Sequence, residues 1–170
     1  MKLRYCIAFG IPLAGSPALA ADLAVKLEIP QLNVAEYHRP YVAMWLERPD
    51  QSFVSNLAVW YDLKKKDNGG TKWLKDMRQW WRKSGRELQM PVDGVSGATR
   101  TTGEHTVSFG GSKALQNLPA GEYQLVVEAA REAGGREVVR VPFQWPAKAV
   151  QNPSAKGKEE LGTVALQIKP

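Results

Sequence analysis

The sequence predicts a mainly β protein, an antiparallel immunoglobulin-like β-sandwich with one inserted amphipathic helix at about 71–84. Three observations carry the prediction. Seven short runs are rich in strand-forming residues, most alternating with the period of two that buries one face of a strand. Gly, Pro, Asn and Asp gather between those runs. A single stretch repeats its apolar residues at helical spacing instead.

The elements follow in chain order. Residues 22–29, DLAVKLEI, place Leu23, Val25, Leu27 and Ile29 on one face. In 40–47, PYVAMWLE, both faces are apolar: Tyr41, Ala43 and Trp45 on one, Val42, Met44 and Leu46 on the other. A strand of that kind is covered on both sides. Arg48-Pro49-Asp50 makes a hairpin-like turn into 51–60, QSFVSNLAVW. Further strands are expected at 104–109, 121–131, 136–145 and 162–169, with turns at Leu118–Gly121 and at Ala133-Gly134-Gly135. After Asp67-Asn68-Gly69-Gly70, Thr71 is placed to cap a helix. Its stripe is Trp73, Leu74, Met77, Trp80 and Trp81, its charged face carries Lys72, Lys75, Arg78 and Arg82, and Gly85 ends it. Such a stripe covers one open side of a sandwich. The segment 146–160 is polar and is expected to be a mobile link to the last strand.

The first twenty residues stand apart. Lys2 and Arg4, a short apolar run from Tyr5 to Gly15, and Ala18-Leu19-Ala20 have the layout of a secretory signal, with cleavage expected after Ala20. The apolar run is too short to span a bilayer. The domain is therefore expected at 21–170, exported to the periplasm and without stable membrane insertion. Without Lys2 and Arg4 the 23 basic residues become 21 against 17 acidic, a net charge of +4. Cys6 leaves with the signal, so the mature chain has no thiol to cross-link, to bind a metal or to act as a nucleophile. Beyond Lys64-Lys65-Lys66 no dense basic block occurs, and that run reads as a solvated loop rather than a nucleic-acid patch.

Enzymatic readings are thinly supported. His38 and His105 are the two histidines, and no HxH, HxxxH or HExxH spacing joins them. Gly94-Val95-Ser96-Gly97 lacks the spacing of a nucleophile elbow. The paired Trp80 and Trp81 cannot both enter the core, so one is expected near the surface. If that surface borders residues 92–100, it becomes a stacking platform.

The run at 92–99, VDGVSGAT, carries the chemistry. By composition it is a flexible, exposed turn. Its order, Asp93-x-x-Ser96-Gly97-Ala98-Thr99, resembles the motif read by the periplasmic flavin transferase, as found in the FMN-carrying subunits of the sodium-pumping NADH:quinone reductase and of the Rnf complex. A chance match in a chain of this length is on the order of one in a thousand or rarer. The resemblance implies that Thr99 receives FMN as a phosphoester, donated from FAD by a Mg²⁺-dependent transferase. Asp93, Ser96, Gly97 and Ala98 then serve recognition, and Arg100 is a candidate phosphate contact. Arg78 and Arg86 are further candidates.

The remainder, notably YHRPYVAMWLE at 37–47, WLKDMRQWW at 73–81 and VDGVSGAT itself, resembles domain-of-unknown-function family 2271, predicted periplasmic proteins associated with flavin transfer. That resemblance implies an extracytosolic electron carrier working beside a membrane-embedded reductase, with ferric-siderophore or iron reduction downstream. It implies a carrier and a transferase substrate, not a substrate-converting enzyme. The competing reading is a non-redox β-sandwich that binds a ligand or serves as a structural module, with the motif as a plain turn.

Overall fold

The computed structural model describes residues 22–170. The expected signal segment 1–20, its cleavage point and Cys6 lie outside the described residues. The described residues form nine strands: β1 (Asp22–Ile29), β2 (Tyr41–Glu47), β3 (Phe53–Tyr61), β4 (Ser96–Ala98), β5 (Gly103–Ser108), β6 (Gly121–Ala130), β7 (Arg136–Trp145), β8 (Ser154–Lys156) and β9 (Thr163–Lys169). They form a four-stranded sheet in the order β5-β1-β9-β8 and a five-stranded sheet in the order β4-β3-β2-β6-β7. The seven expected strands are all there. The other two, β4 and β8, have three residues each and too few apolar positions to show a period.

Between the sheets lies the main core. Leu23, Val25, Leu27 and Ile29 of β1 face Val42, Met44 and Leu46 of β2 and Leu125 and Val127 of β6. The opposite side of the five-stranded sheet is covered too, as the two-sided apolar pattern of β2 requires. There Ala43, Trp45, Val59, Tyr61 and Val126 meet Leu74, Met77 and Trp80. The domain thus has three layers, two sheets and a helical cover.

The cover differs from the single helix expected. It begins as a 3₁₀ stretch, Lys66–Asp76, in which Asp67 and Asn68 take left-handed backbone angles. It breaks at Met77 and continues as a short helix, α1 (Arg78–Lys83). Thr71 does not cap it, because its hydroxyl donates to the Asn68 carbonyl at 2.8 Å. The cap comes from β6 instead. Glu128, fully buried, accepts the Gln79 and Trp80 amides at 3.1 and 2.8 Å. Those amides are free donors at a helix start, and a carboxylate is their best acceptor. Trp80 is pinned through its indole N–H, which donates to Asn56 Oδ1 at 2.8 Å. Gly85 closes the helix by making room: a Cβ there falls 2.6 Å from the Trp80 ring.

Two further differences concern connectivity. The strand β4 pairs with β3 in parallel, Val59 with Ser96 through Tyr61 with Ala98, so the sandwich is not wholly antiparallel. A parallel pair needs a long crossover, and residues 62–95, containing the whole cover, provide it. The segment 146–160 is built in rather than free. It holds β8 and a bridge from Gln151 to Ile168. Its end is drawn in by the Glu137 carboxylate, which accepts the amides of Lys158, Glu159 and Leu161 at 2.5, 3.1 and 2.9 Å. Those amides outweigh the effect of burial and hold the Glu137 pKa below its ordinary value. Beside them the buried Glu160 pairs with Arg131 at 3.0 Å.

Candidate functional site

The motif enters the sheet through a tight turn. Ser96 Oγ accepts the Val92 amide at 2.8 Å, and the Val92 carbonyl accepts the Ser96 amide at 2.9 Å. Within that clasp Gly94 has φ +70°, the left-handed region where glycine is unstrained. Asp93 is exposed on the turn. The chain then runs as β4 on the sheet edge, bound on one side only, and Thr99 follows it with its amide donating to the Tyr61 carbonyl at 3.2 Å. What reads as a loose turn is therefore half turn and half edge strand. The parallel partner β3, distant in sequence, supplies the order.

Gly97 is required for packing as well. A Cβ at this position lies 2.9 Å from Trp60 Cδ1, so the indole occupies the space any side chain needs. On that side of β4, Arg100 stacks over the Trp60 ring at 5.2 Å and His105 meets it edge-on at 6.1 Å. His105 Nε2 also bonds the Thr101 carbonyl at 2.7 Å. Arg100 lines a hollow with Trp60, Ser96 and Gly97, and Thr99 does not share it.

Thr99, half-buried, lines a different cavity of about 310 Å³. It sits at the end of the five-stranded sheet where β3, β4 and β6 finish and β2 begins. Asp62 follows β3 directly, Thr99 follows β4, Ala130 ends β6, and Tyr41 opens β2; all four reach it. Chain ends of neighbouring strands are where a sheet can hold a ligand without losing backbone hydrogen bonds. His38 and Arg39 precede β2, Glu132 lies beyond β6, and Lys65 immediately precedes the cover; each lines the cavity as well.

Tyr41 forms a fixed wall. Its hydroxyl donates to the Gly70 carbonyl at 3.1 Å, its ring meets Tyr61 edge-on at 6.3 Å, and burial pushes its pKa up, so the phenol stays a donor. Trp73 and Asp76 from the cover form the other wall. Trp73 is 39% exposed, whereas Leu74, Met77 and Trp80 are buried. The 3₁₀ geometry and the break at Met77 turn it away from the stripe that α-helical spacing assigned it. Of the cover's aromatic side chains, the one bordering the motif is thus Trp73, and not the half-buried Trp81, which packs against Trp80.

His38 is engaged by acids, Glu36 at 3.2 Å and Glu132 at 3.7 Å. Among the described residues no group of three His, Cys, Asp or Glu is arranged to hold a metal. Arg78 lines a neighbouring hollow with Trp73 and Asp76. Arg86 pairs with Glu87 at 3.1 Å. Charge is distributed unevenly along the chain. Residues 62–87 hold nine Lys and Arg against four Asp and Glu, while the rest of the described chain holds twelve against thirteen. The positive excess therefore lies in the cover as a whole, while the cavity itself is lined by Arg39 and Lys65 against Asp62, Asp76 and Glu132.

Arg39, Lys65 and Trp73 carried no site signal in the sequence, and His38 was weighed only as a metal ligand. They come from separate segments, and only the crossover brings them together with Thr99.

Fold and cavity together define a three-layered β-sandwich with a ligand-sized hollow at one sheet end. The chain belongs to the DUF2271 family, described as predicted periplasmic protein, whose model matches residues 22–163. That description agrees with the periplasmic location expected from the sequence, and no helix of the described residues is long and apolar enough to cross a membrane. No curated protein and no solved structure matches the chain.

Proposed function

We propose that this protein is a periplasmic electron carrier bearing FMN as a phosphoester on Thr99. The observation that supports it most is that Thr99, the last residue of a complete Asp93-x-x-Ser96-Gly97-Ala98-Thr99 run, lines a cavity with Tyr41, Trp73, Arg39 and Lys65. The donor set suits the group. Two aromatic side chains match a planar ring, and two cations match a phosphate or the polar ring edge.

Attachment is a phosphoryl transfer. The Thr99 oxygen bonds to the flavin-side phosphorus of FAD, the pyrophosphate bond breaks, AMP leaves, and the hydroxyl proton passes to the transferase. A bare alcohol is a poor nucleophile, so that enzyme and its Mg²⁺ must activate it. This chain contributes presentation. β4 lies on a sheet edge with one side open, Gly94 shapes the turn, and Ser96 fixes it. The bound flavin supplies the redox chemistry, accepting electrons in pairs and releasing them singly. A membrane-embedded reductase is the donor that fits this location, with iron reduction downstream.

Intact mass of the protein from a host that makes the transferase tests the reading. The expected result is a gain equal to FMN less water, absent in Thr99→Ala, with a flavin spectrum that survives denaturation. An unmodified mass from a host that flavinylates other proteins overturns it and leaves a β-sandwich binding or structural module.

A further inference from the structure

We infer that the isoalloxazine ring, once tethered, docks in the 310 Å³ cavity, stacked on Trp73 against the wall formed by Tyr41. The inference rests on attachment at Thr99 and names the site where the ring then resides. Three hollows border the motif, and the one beside Asp93 and Gly94 has no aromatic side chain in its lining. The hollow on the far side contains Trp60, but Arg100 lies over that ring and His105 meets its edge, while Gly97 presses against its Cδ1 atom. The other aromatic of that hollow, Phe109, is buried, so no open aromatic face is left there for a flavin.

The Thr99 cavity differs in each respect. Trp73 is the aromatic side chain that the cover leaves exposed, and it adds nothing to the buried stripe beneath it. Tyr41 is held by Gly70 and Tyr61, so it is pre-ordered and loses little entropy on contact. The volume is at the low end for cavities that hold small cofactors. It suits a three-ring heterocycle whose ribityl chain stays outside, running back to Thr99 on the rim. Arg39 and Lys65 supply positive charge for the polar edge of the ring, while Asp62, Asp76 and Glu132 bound the same space.

The test uses the full flavinylated chain, with intact mass confirming the tether in every sample. Flavin fluorescence and visible circular dichroism then report the ring. Stacking on Trp and Tyr quenches the emission, and a fixed environment induces a dichroic band. We expect both signatures in the wild-type protein. Trp73→Ala should lower the ratio of docked to free ring by about tenfold, the equivalent of about 1.4 kcal/mol, with emission rising towards that of free FMN. Tyr41→Leu should act in the same direction, and Trp60→Phe should change neither signal. A tethered flavin as bright as free FMN, or one that responds to Trp60→Phe and not to Trp73→Ala, overturns the docking site alone. Absence of any flavin mass overturns attachment, and the docking site with it.

Discussion

The two faces of the five-stranded sheet are built on different principles. The inner face packs Val42, Met44, Leu46, Leu125 and Val127 against the other sheet, with no charged side chain among them. The outer face has its own apolar cluster around Trp45, Tyr61 and Trp80, but charge is set into it. Glu47 and Glu128 are fully buried there. Lys83 reaches Glu47 at 3.0 Å, Arg136 reaches Glu128 at 2.9 Å, and Arg140 approaches Glu47 at 3.6 Å while donating to Gln79 at 2.7 Å. Buried ion pairs seldom stabilise a fold beyond what apolar side chains would, but they fix one arrangement, since misplacing either partner is costly. The inner face supplies stability. The outer face spends some on holding a short, broken helix in one register, and the wall of the Thr99 cavity belongs to that helical layer.

The largest effect should come from cutting into the inner face. Leu125→Ala removes a side chain with no exposure in the middle of β6. It should cost about 4 kcal/mol in urea denaturation, within the range for fully buried leucines. Because the cavity belongs to the other side, its ring-docking signals should persist in the folded fraction.

A smaller loss, with the opposite selectivity, is expected from Glu128→Ala. That change leaves the Gln79 and Trp80 amides without an acceptor and Arg136 without its partner. About 2–3 kcal/mol should be lost by the same measurement, and amide exchange across 78–83 should rise well before the inner strands respond. If Glu128→Ala proved neutral, the contrast between the faces would collapse.

The smallest effect lies outside both apolar clusters, at the β7 edge of the sheet, and sharpens the comparison by pH. The Glu137 pKa is lowered in the folded state, through the amides of Lys158, Leu161, Glu159 and Glu160 acting against burial. Its contribution is thus present above the unfolded carboxylate pKa and disappears as pH falls through the folded one. Glu137→Gln should lower the denaturation midpoint modestly at neutral pH. The gap to the wild type should close in acid.

The strands that bury a face were legible because their period is written in consecutive residues, as in Leu23, Val25, Leu27 and Ile29. Two-sided burial of β2 was legible for the same reason, and it foretold a cover. The form of the cover was not. Asp67 and Asn68 adopt left-handed angles, and the helix start depends on Glu128, some fifty residues away. Without that information an α-helical wheel puts Trp73 among the buried residues, where the structure turns it outward. Likewise β4 and β8 owe their existence to partners, β3 and β9, rather than to Ser-Gly-Ala or Ser-Ala-Lys. For the site, the motif itself was readable and the cavity was not, because its walls come from five separate stretches joined by a parallel pairing.

The short edge strand has a kinetic consequence. Only three residue pairs join β4 to β3, and among the described residues its other side has no neighbouring strand. It can detach as a local event, breaking hydrogen bonds such as Val59 to Val95 and Thr99 to Tyr61, while the long β2 ladders stay closed. Opening of this kind draws on a small part of the global unfolding free energy. On the attachment proposed above, the folded domain would offer its threonine by fraying at one margin, and the fold need not be caught unfinished for the residue to be reached.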